Sequence, residues 1–99
     1  MSTVSDRNFV IGDIVSHFKR DMTDLVSTNP DVYLYKIIAF AHHTETGEPL
    51  VIYKALYNEP SLGVHYGIYA RPYDMFISKV DKEKYPNSVQ EYRFEKYNS

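Results

Sequence analysis

The amino-acid sequence predicts a mainly β protein, a small SH3-like antiparallel barrel with one or two short helical turns. Residues 37–57 have the pattern of two apolar strands joined by a tight turn, in which Gly47 tolerates a positive φ. The other apolar segments are short and are separated by Pro, Gly and Asn, so no long helix is expected. An open sheet with one short helix is the alternative. We predict a flexible N-terminus over residues 1–8 and a single small β domain over residues 9–97.

The first strand is expected within residues 9–18, and we place Ile14 and Phe18 in the core. Residues 20–31 follow with apolar side chains at helical spacing, which suits one or two helical turns. Asp21 is a suitable cap for this helical segment. A proline then ends it, because proline disfavours the helical region for the residue before it.

The second strand is expected over residues 32–42. It is apolar on both faces over residues 37–41, so it should be covered on both sides or cross from one packing layer to another. The third strand follows over residues 50–57. Lys54 indicates that one face of this strand is the more solvent-exposed one, and the opposite face carries Val51, Tyr53, Ala55 and Tyr57.

The remainder of the chain alternates between loops and short elements. We expect a loop over 58–67, a strand over 66–70, a helical turn within 71–76, a strand over 77–80, a loop over 81–88 and a half-buried last strand over 89–97. Pro72 suits the first position of the helical turn, and Met75 and Phe76 are expected to point inward.

Composition and charge argue against several classes of protein. The formal net charge of −2 gives no reason to expect binding of nucleic acid or of an anionic membrane, and a nucleic-acid partner would need a local basic patch. The absence of cysteine excludes disulfides, a thiolate nucleophile and Cys-ligated zinc. No segment has the length of a membrane span and the N-terminus lacks a signal sequence, so we expect no membrane partner and a cytoplasmic location.

Five sequence blocks stand in an order that resembles a known family. They are GDIVSHFK (12–19), YKIIAFAH (35–42), TET (44–46), LVIYKALY (50–57) and YARPYDMF (69–76). Together they are similar to the small, mainly bacterial family catalogued as domain of unknown function 1653, over residues 12–81 and 92–94. The resemblance implies a small cytosolic protein of mainly β structure without an assigned activity. The loops at 21–32 and 58–67 are longer than in the family pattern.

His42, His43 and Glu45 form the first candidate site. Imidazole and carboxylate groups together could bind zinc or perform acid–base chemistry. Neighbouring residues of a strand point to opposite faces, however, so the two histidines cannot chelate one ion unless the strand is broken there. The HExxH spacing is also absent. We therefore expect one histidine to cap the hairpin, Glu45 to lie in solvent, and neither a metal nor a cofactor to be bound.

Arg71 is the second candidate. It precedes Pro72, so its backbone should be extended, and it shares a strand face with Tyr69. A guanidinium group at this position could bind a carboxylate or phosphate of a ligand. Alternatively it could stack on Tyr69 or pair with Asp74 to hold the turn.

A third group forms only if the strands pair as expected. It contains His17, Tyr53 and Tyr57, with Lys54 beside them. The two tyrosines could line a pocket or simply cover the edge of the core.

The sequence predicts a non-catalytic binding module whose ligand is a peptide, a protein surface or a nucleic acid. The candidate ligand-binding residues are Arg71, Tyr69, Tyr53, Tyr57, His17 and His42. One alternative is a small hydrolase or metal-dependent enzyme that uses His42 or His43, Glu45 and Arg71, and another is a structural accessory subunit. Convergence of His17, His42 and Arg71 around a concave pocket would favour the enzyme, whereas a flat tyrosine-rich face would favour binding.

Overall fold

The computed structural model describes residues 8–97, and these residues form a mainly β structure, as predicted. The strands are β1 (Ile14–His17), β2 (Leu34–His42), β3 (Pro49–Ala55), β4 (Asn58–Glu59), β5 (Val64–His65), β6 (Ile68–Pro72) and β7 (Phe94–Lys96). One α-helical turn, α1 (Tyr73–Phe76), and three 3₁₀ turns, Phe18–Met22, Asp24–Ser27 and Pro60–Leu62, connect them. The predicted flexible N-terminus lies, apart from residue 8, outside the described residues. Within residues 8–97 no helix is long and apolar enough to cross a membrane.

Five strands form one antiparallel sheet in the order β6-β3-β2-β1-β7. The segment predicted as a loop over 58–67 instead contains a second, two-stranded sheet made of β4 and β5. Among the described residues no strand pairing joins β6 to β7, so both are sheet edges and no closed barrel is found. The SH3-like barrel therefore stays a prediction.

The central hairpin of β2 and β3 is confirmed. The strands end and begin at His42 and Pro49, and Gly47 has φ +77° in the connecting turn. The amide nitrogen of Gly47 donates to the carbonyl of His43 at 2.8 Å. The left-handed backbone at Gly47 is what the turn requires and what glycine supplies without strain.

A β-bulge explains the run of apolar residues in β2. The pairing register shifts between Ile37 and Ala39, so one extra residue is inserted in this strand. Beyond the bulge the two faces are exchanged, and Phe40 lies on the same face as Ile37. Of the two alternatives predicted for residues 37–41, coverage on both sides is not found, since the Phe40 side chain is 42% exposed at the end of the strand.

Two smaller predictions are also wrong. Val15 and not Ile14 is the core residue of β1, because Val15 pairs with the buried Tyr35. Thr23 and not Asp21 caps the second 3₁₀ turn, and its hydroxyl accepts from the backbone nitrogen of Leu25. Burial of Phe18 is confirmed, although this residue begins a 3₁₀ turn.

The helical turn after β6 buries one of its two predicted core residues. Phe76 is fully buried, whereas Met75 is 47% exposed, because a four-residue α-helix presents only one of two successive side chains to the core. Phe76 stacks on Phe94 of β7 with ring centroids 4.2 Å apart and ring planes 6° from parallel. Through this stack, α1 bridges the space between the two sheet edges.

The predicted strands over 77–80 and 89–97 are shorter than expected. A single bridge joins Lys79 to Tyr92, and regular pairing of the last segment begins only at Phe94. The side chain of Gln90 is buried beside this bridge, and its amide nitrogen donates to the carbonyls of Ser16 and Tyr92, both at 2.9 Å. The Ser16 hydroxyl donates in return to the Gln90 side-chain oxygen at 3.2 Å. This polar network ties β1 to the C-terminal segment.

Substitution of Gly47 tests the turn of the hairpin. A Cβ added at Gly47 meets no atom within 4 Å, so the cost of Gly47→Ala comes from the left-handed backbone alone. We expect Gly47→Ala to lower the free energy of unfolding by about 1–2 kcal/mol and Gly47→Asn to lower it less, because Asn tolerates this region. Urea denaturation measures both. Glu45→Ala in the same turn is the control, and an equal loss in all three variants would contradict the argument.

Candidate functional site

Four basic side chains line a cavity of about 330 Å³ between β1, β6 and the C-terminal segment. They are Lys19, Arg71, Lys84 and Arg93. We call this space the cationic cavity. Asp81 is the carboxylate among its lining residues, and its Oδ1 accepts from the backbone nitrogens of Glu83 and Lys84. The lining thus brings four cations and one acid together in a protein whose formal net charge is −2.

Neutral groups hold the cations of this cavity. The ammonium groups of Lys19 and Lys84 lie 5.6 and 5.4 Å from the ring centroid of Tyr85. Arg93 Nε donates to the Ser78 hydroxyl at 3.2 Å. Cation–π contacts and hydrogen bonds to hydroxyls leave the full charge of each group in place. The two ion pairs between described residues, Lys79–Glu91 and Lys96–Asp13, involve none of these four cations.

Arg71 is fixed by aromatic residues. Its Nε donates to the Tyr53 hydroxyl at 3.2 Å, and its guanidinium carbon lies 5.6 Å from the ring centroid of Phe94. The two internal contacts predicted for Arg71 were stacking on Tyr69 and an ion pair with Asp74. Between described residues no ion pair joins Arg71 to Asp74. The planar guanidinium group is thereby oriented with its charge uncompensated by a carboxylate.

His17 lies in the wall of the cationic cavity as a neutral imidazole. Burial, followed by the nearby charges of Arg71, Lys19 and Arg93, lowers the pKa of His17 to about 3. Its Nδ1 accepts from the backbone nitrogen of Lys19 at 3.2 Å, so Nε2 carries the proton. His17 is therefore a hydrogen-bond donor of fixed tautomer at neutral pH.

Tyr33 packs against the His17 ring. The two rings are stacked with centroids 5.6 Å apart, and the Tyr33 carbonyl accepts from the His17 backbone nitrogen at 3.0 Å. Tyr33 has φ +64°, a left-handed backbone that costs an aromatic residue about 1–2 kcal/mol. Such strain persists only where the surroundings fix the conformation, and it is often found at functional sites.

A second space of about 320 Å³ adjoins the first, and Arg71 lines both. Its aromatic lining residues are Tyr35, Tyr53 and Tyr69, so we call it the aromatic cavity. Tyr53 and Tyr69 are cross-strand partners on β3 and β6, with ring centroids 5.9 Å apart. A Cβ added at Gly67 would lie 2.8 Å from the Tyr69 hydroxyl, so glycine at this position leaves room for the Tyr69 side chain.

Tyrosine hydroxyls meet beside the aromatic cavity. The hydroxyls of Tyr35 and Tyr57 are 2.9 Å apart. Burial, with the Tyr57 hydroxyl as the next cause, raises the pKa of Tyr35, and burial also raises the pKa of Tyr57. Both groups therefore stay protonated over the physiological range. Tyr57 is almost fully buried and supports Tyr35 from within the core.

Four of the six predicted ligand-binding residues line the two cavities. Arg71, Tyr69 and Tyr53 line the aromatic cavity, and Arg71 and His17 line the cationic cavity. Tyr57 lies in the core behind Tyr35, and His42 is an exposed residue at the end of β2 that lines neither cavity. His17 and Arg71 thus share a pocket, whereas His42 does not join them.

The structure also places the candidate metal residues of the hairpin. His43 Nδ1 accepts from the backbone nitrogens of Glu45 and Thr46, so His43 caps the turn as expected, and Glu45 is exposed. Over residues 8–97 no group of three His, Cys, Asp or Glu side chains could hold a metal ion. The expectation that no metal or cofactor is bound stays a prediction.

Sequence reasoning missed several residues of the site. Lys19, Lys84 and Arg93 come from separate segments, and none was singled out as a candidate site residue. Tyr35 was assigned to the second strand but not to a site. The one local signal was the pairing of Lys84 with Tyr85, because a lysine beside an exposed aromatic residue is suited to a cation–π contact. Only the long-range pairing of the strands brings these side chains together.

The fold and the two cavities define a small mainly β domain with adjoining cationic and aromatic pockets. The chain belongs to the family described as Protein of unknown function (DUF1653), whose profile matches residues 13–96. This match confirms the family suggested by the sequence blocks and extends through the segment that carries Lys84. Searches of curated proteins and of solved structures gave no significant match.

The depressed pKa of His17 makes stability depend on pH. An unperturbed imidazole titrates near 6.5 and the folded one at about 3. Between these values the unfolded chain binds more protons, so lowering the pH destabilises the fold by up to about 1.4 kcal/mol per pH unit. His17→Asn keeps an acceptor for Lys19 N but cannot titrate in this range. In urea denaturation, the free energy of unfolding should fall less steeply between about pH 6 and pH 4 for His17→Asn than for the wild type. Equal slopes for the two proteins would contradict the predicted role of His17.

Proposed function

We propose that this protein is a binding module that recognises an anionic ligand in the cationic cavity, without turnover. The supporting observation is the set of four cations held there by neutral partners. Cations arranged in this way attract a carboxylate or phosphate, and a cavity with low-dielectric walls concentrates their field. The planar guanidinium groups of Arg71 and Arg93 are suited to bidentate contacts with such a group.

The overall charge of the protein is consistent with this proposal. A net charge of −2 disfavours non-specific attraction of polyanions, and the same chain concentrates four cations around one cavity. An exposed anion more than about 10 Å away is largely screened at physiological salt, so the local arrangement dominates over the net charge. The ligand is therefore expected to bind at one place rather than along the whole surface.

The enzymatic alternative has less support. It requires His42 or His43, Glu45 and Arg71 to act together, but Arg71 lines the cavities while His43 caps the hairpin turn. His17 is the histidine beside Arg71, and its pKa of about 3 is a poor match for a general base at neutral pH. A structural accessory role predicts no small-molecule or anion binding, and the experiment below distinguishes it.

Two finer features belong to the same proposal. The first is an SH3-like barrel, supported by the backbone bonds from Val80 N to Glu91 O and from Arg93 N to Ser78 O, which continue the pairing beyond β7. The stack of Phe76 on Phe94 fills the remaining space between the sheet edges. The second is a cytoplasmic location, which the resemblance to this family implies.

Charge reversal at the cavity tests the proposal. Isothermal titration calorimetry with tripolyphosphate, together with amide chemical shifts, locates and measures anion binding. Lys84→Glu should weaken binding by about tenfold or more, because it replaces an attraction by a repulsion at the cavity. Lys54→Glu is the matched control, with the same change in net charge on an exposed residue of the opposite face of β3. Its effect should stay within about twofold.

The result that overturns the proposal is the absence of chemical-shift changes at the cavity with tripolyphosphate. Equal weakening by Lys84→Glu and Lys54→Glu would also contradict it, because binding would then follow net charge alone. The structural accessory role would be favoured by the first outcome.

Arg71→Lys separates charge from geometry. The ammonium group keeps the charge but cannot reproduce the planar fork or the bond from Nε to the Tyr53 hydroxyl. We expect about tenfold weaker tripolyphosphate binding with a smaller change in melting temperature than for Arg71→Ala. Calorimetry and melting curves of both variants give the comparison. Full retention of affinity in both would remove Arg71 from the site.

A further inference from the structure

The two cavities meet at one side chain, and this determines what kind of ligand can use both. Arg71 reaches the Tyr53 hydroxyl on the side of the aromatic cavity at 3.2 Å and also lines the cationic cavity with His17. Each cavity has a volume of more than 300 Å³, within the range of sites that hold small molecules. A ligand that fills both would carry an anionic group on one side of Arg71 and a flat group on the other.

The aromatic cavity is suited to a flat group. Tyr69 on the edge strand β6 is 37% exposed, and its ring packs beside that of the buried Tyr53, which is 5% exposed. Proteins hold unstacked nucleobases by stacking them on exposed aromatic rings of this kind. Arg71 adds a guanidinium plane, which is a second common stacking partner of bases.

The same cavity also offers polar groups. The hydroxyl of Tyr53 accepts from Arg71 Nε and retains its own proton for donation. The Tyr69 ring lies beside that of Tyr35, with ring centroids 6.4 Å apart. A nucleobase has donors and acceptors on its edge that can satisfy such hydroxyls, whereas a benzene ring, as in phosphotyrosine, has none. The hydroxyls therefore favour a base over a phenyl ring.

We propose that the ligand is a nucleoside phosphate, with its phosphate in the cationic cavity and its base in the aromatic cavity. The phosphate is contacted by Lys19, Lys84, Arg93 and the guanidinium group of Arg71, and the base stacks on Tyr69. This inference rests on the proposed function, since it assigns a chemical class to the anion. The nucleoside phosphate is either a free nucleotide or one residue of a single-stranded nucleic acid.

The test compares ligands that carry one or both parts of a nucleotide. Calorimetry and amide chemical shifts are recorded with the four common nucleoside 5′-monophosphates, with ribose 5-phosphate and with adenosine. We expect at least one monophosphate to bind about tenfold or more tightly than ribose 5-phosphate, because only the nucleotide gains base stacking. Its shift changes should include residues of both cavities, whereas those of ribose 5-phosphate should stay at the cationic cavity.

Variants of Tyr69 test whether the tighter binding of the monophosphate depends on the aromatic cavity. Tyr69→Ala should remove the preference for the monophosphate over ribose 5-phosphate and leave the affinity for ribose 5-phosphate unchanged. Tyr69→Phe keeps the ring and should keep most of the preference. Phe40→Ala removes a similarly exposed aromatic side chain that lines neither cavity, and it should change nothing.

Each remaining outcome has a definite meaning. Equal affinity for all monophosphates and ribose 5-phosphate overturns the nucleotide inference, while anion binding as proposed above stands. Tighter binding of phosphotyrosine than of any monophosphate also overturns it. No response to any of these phosphates, nor to tripolyphosphate, removes both proposals. Tighter binding of a single-stranded tetranucleotide than of the best monophosphate supports the inference and identifies a strand as the source, and equal binding supports it with a free nucleotide as the source.

Discussion

The stack of Phe76 on Phe94 is the contact on which the rest of the molecule depends. Both rings are almost fully buried, and they join the helical turn after β6 to the last strand, next to the two edges of the sheet. The Phe94 ring also packs against the guanidinium group of Arg71, and it lies edge-to-face with the His17 ring, with ring centroids 5.1 Å apart. Loss of a buried phenyl ring costs about 3–5 kcal/mol. At this position it would also disturb the packing of the ring against the Arg71 guanidinium group.

Local signals in the sequence were sufficient for the hairpin but not for the elements near the chain ends. The turn at Gly47 and the alternation in β3 depend on neighbouring residues, and both were predicted correctly. The bulge in β2 inserts one residue without any local marker, so the apolar run had the appearance of a strand buried on both faces. The last strand was predicted too long, and the side chain of Gln90 in this segment donates a hydrogen bond to Ser16, which is distant in sequence.

The candidate site, too, could be predicted from local sequence signals only in part. Arg71 could be singled out because proline follows it and because it shares a face with Tyr69. The other cations of the cavity have no such marker, and they meet only after β1, β6 and the C-terminal segment have come together. The net charge was also misleading about the site, because a sum over the chain does not report how charges are distributed in space.

The pairing of β1 with β7 has a consequence for the order in which the molecule folds. Ser16 and Gln90 are 74 positions apart, so their hydrogen bonds close a loop that contains most of the chain. Closing a loop of this length costs about 1.5–2 kcal/mol more entropy than closing one of about ten residues, and contacts of this range slow folding. The local β2–β3 hairpin can form early, whereas the cationic cavity needs β1 and the C-terminal segment in place. In a nascent chain the hairpin can therefore form before the cationic cavity, which needs the residues up to β7.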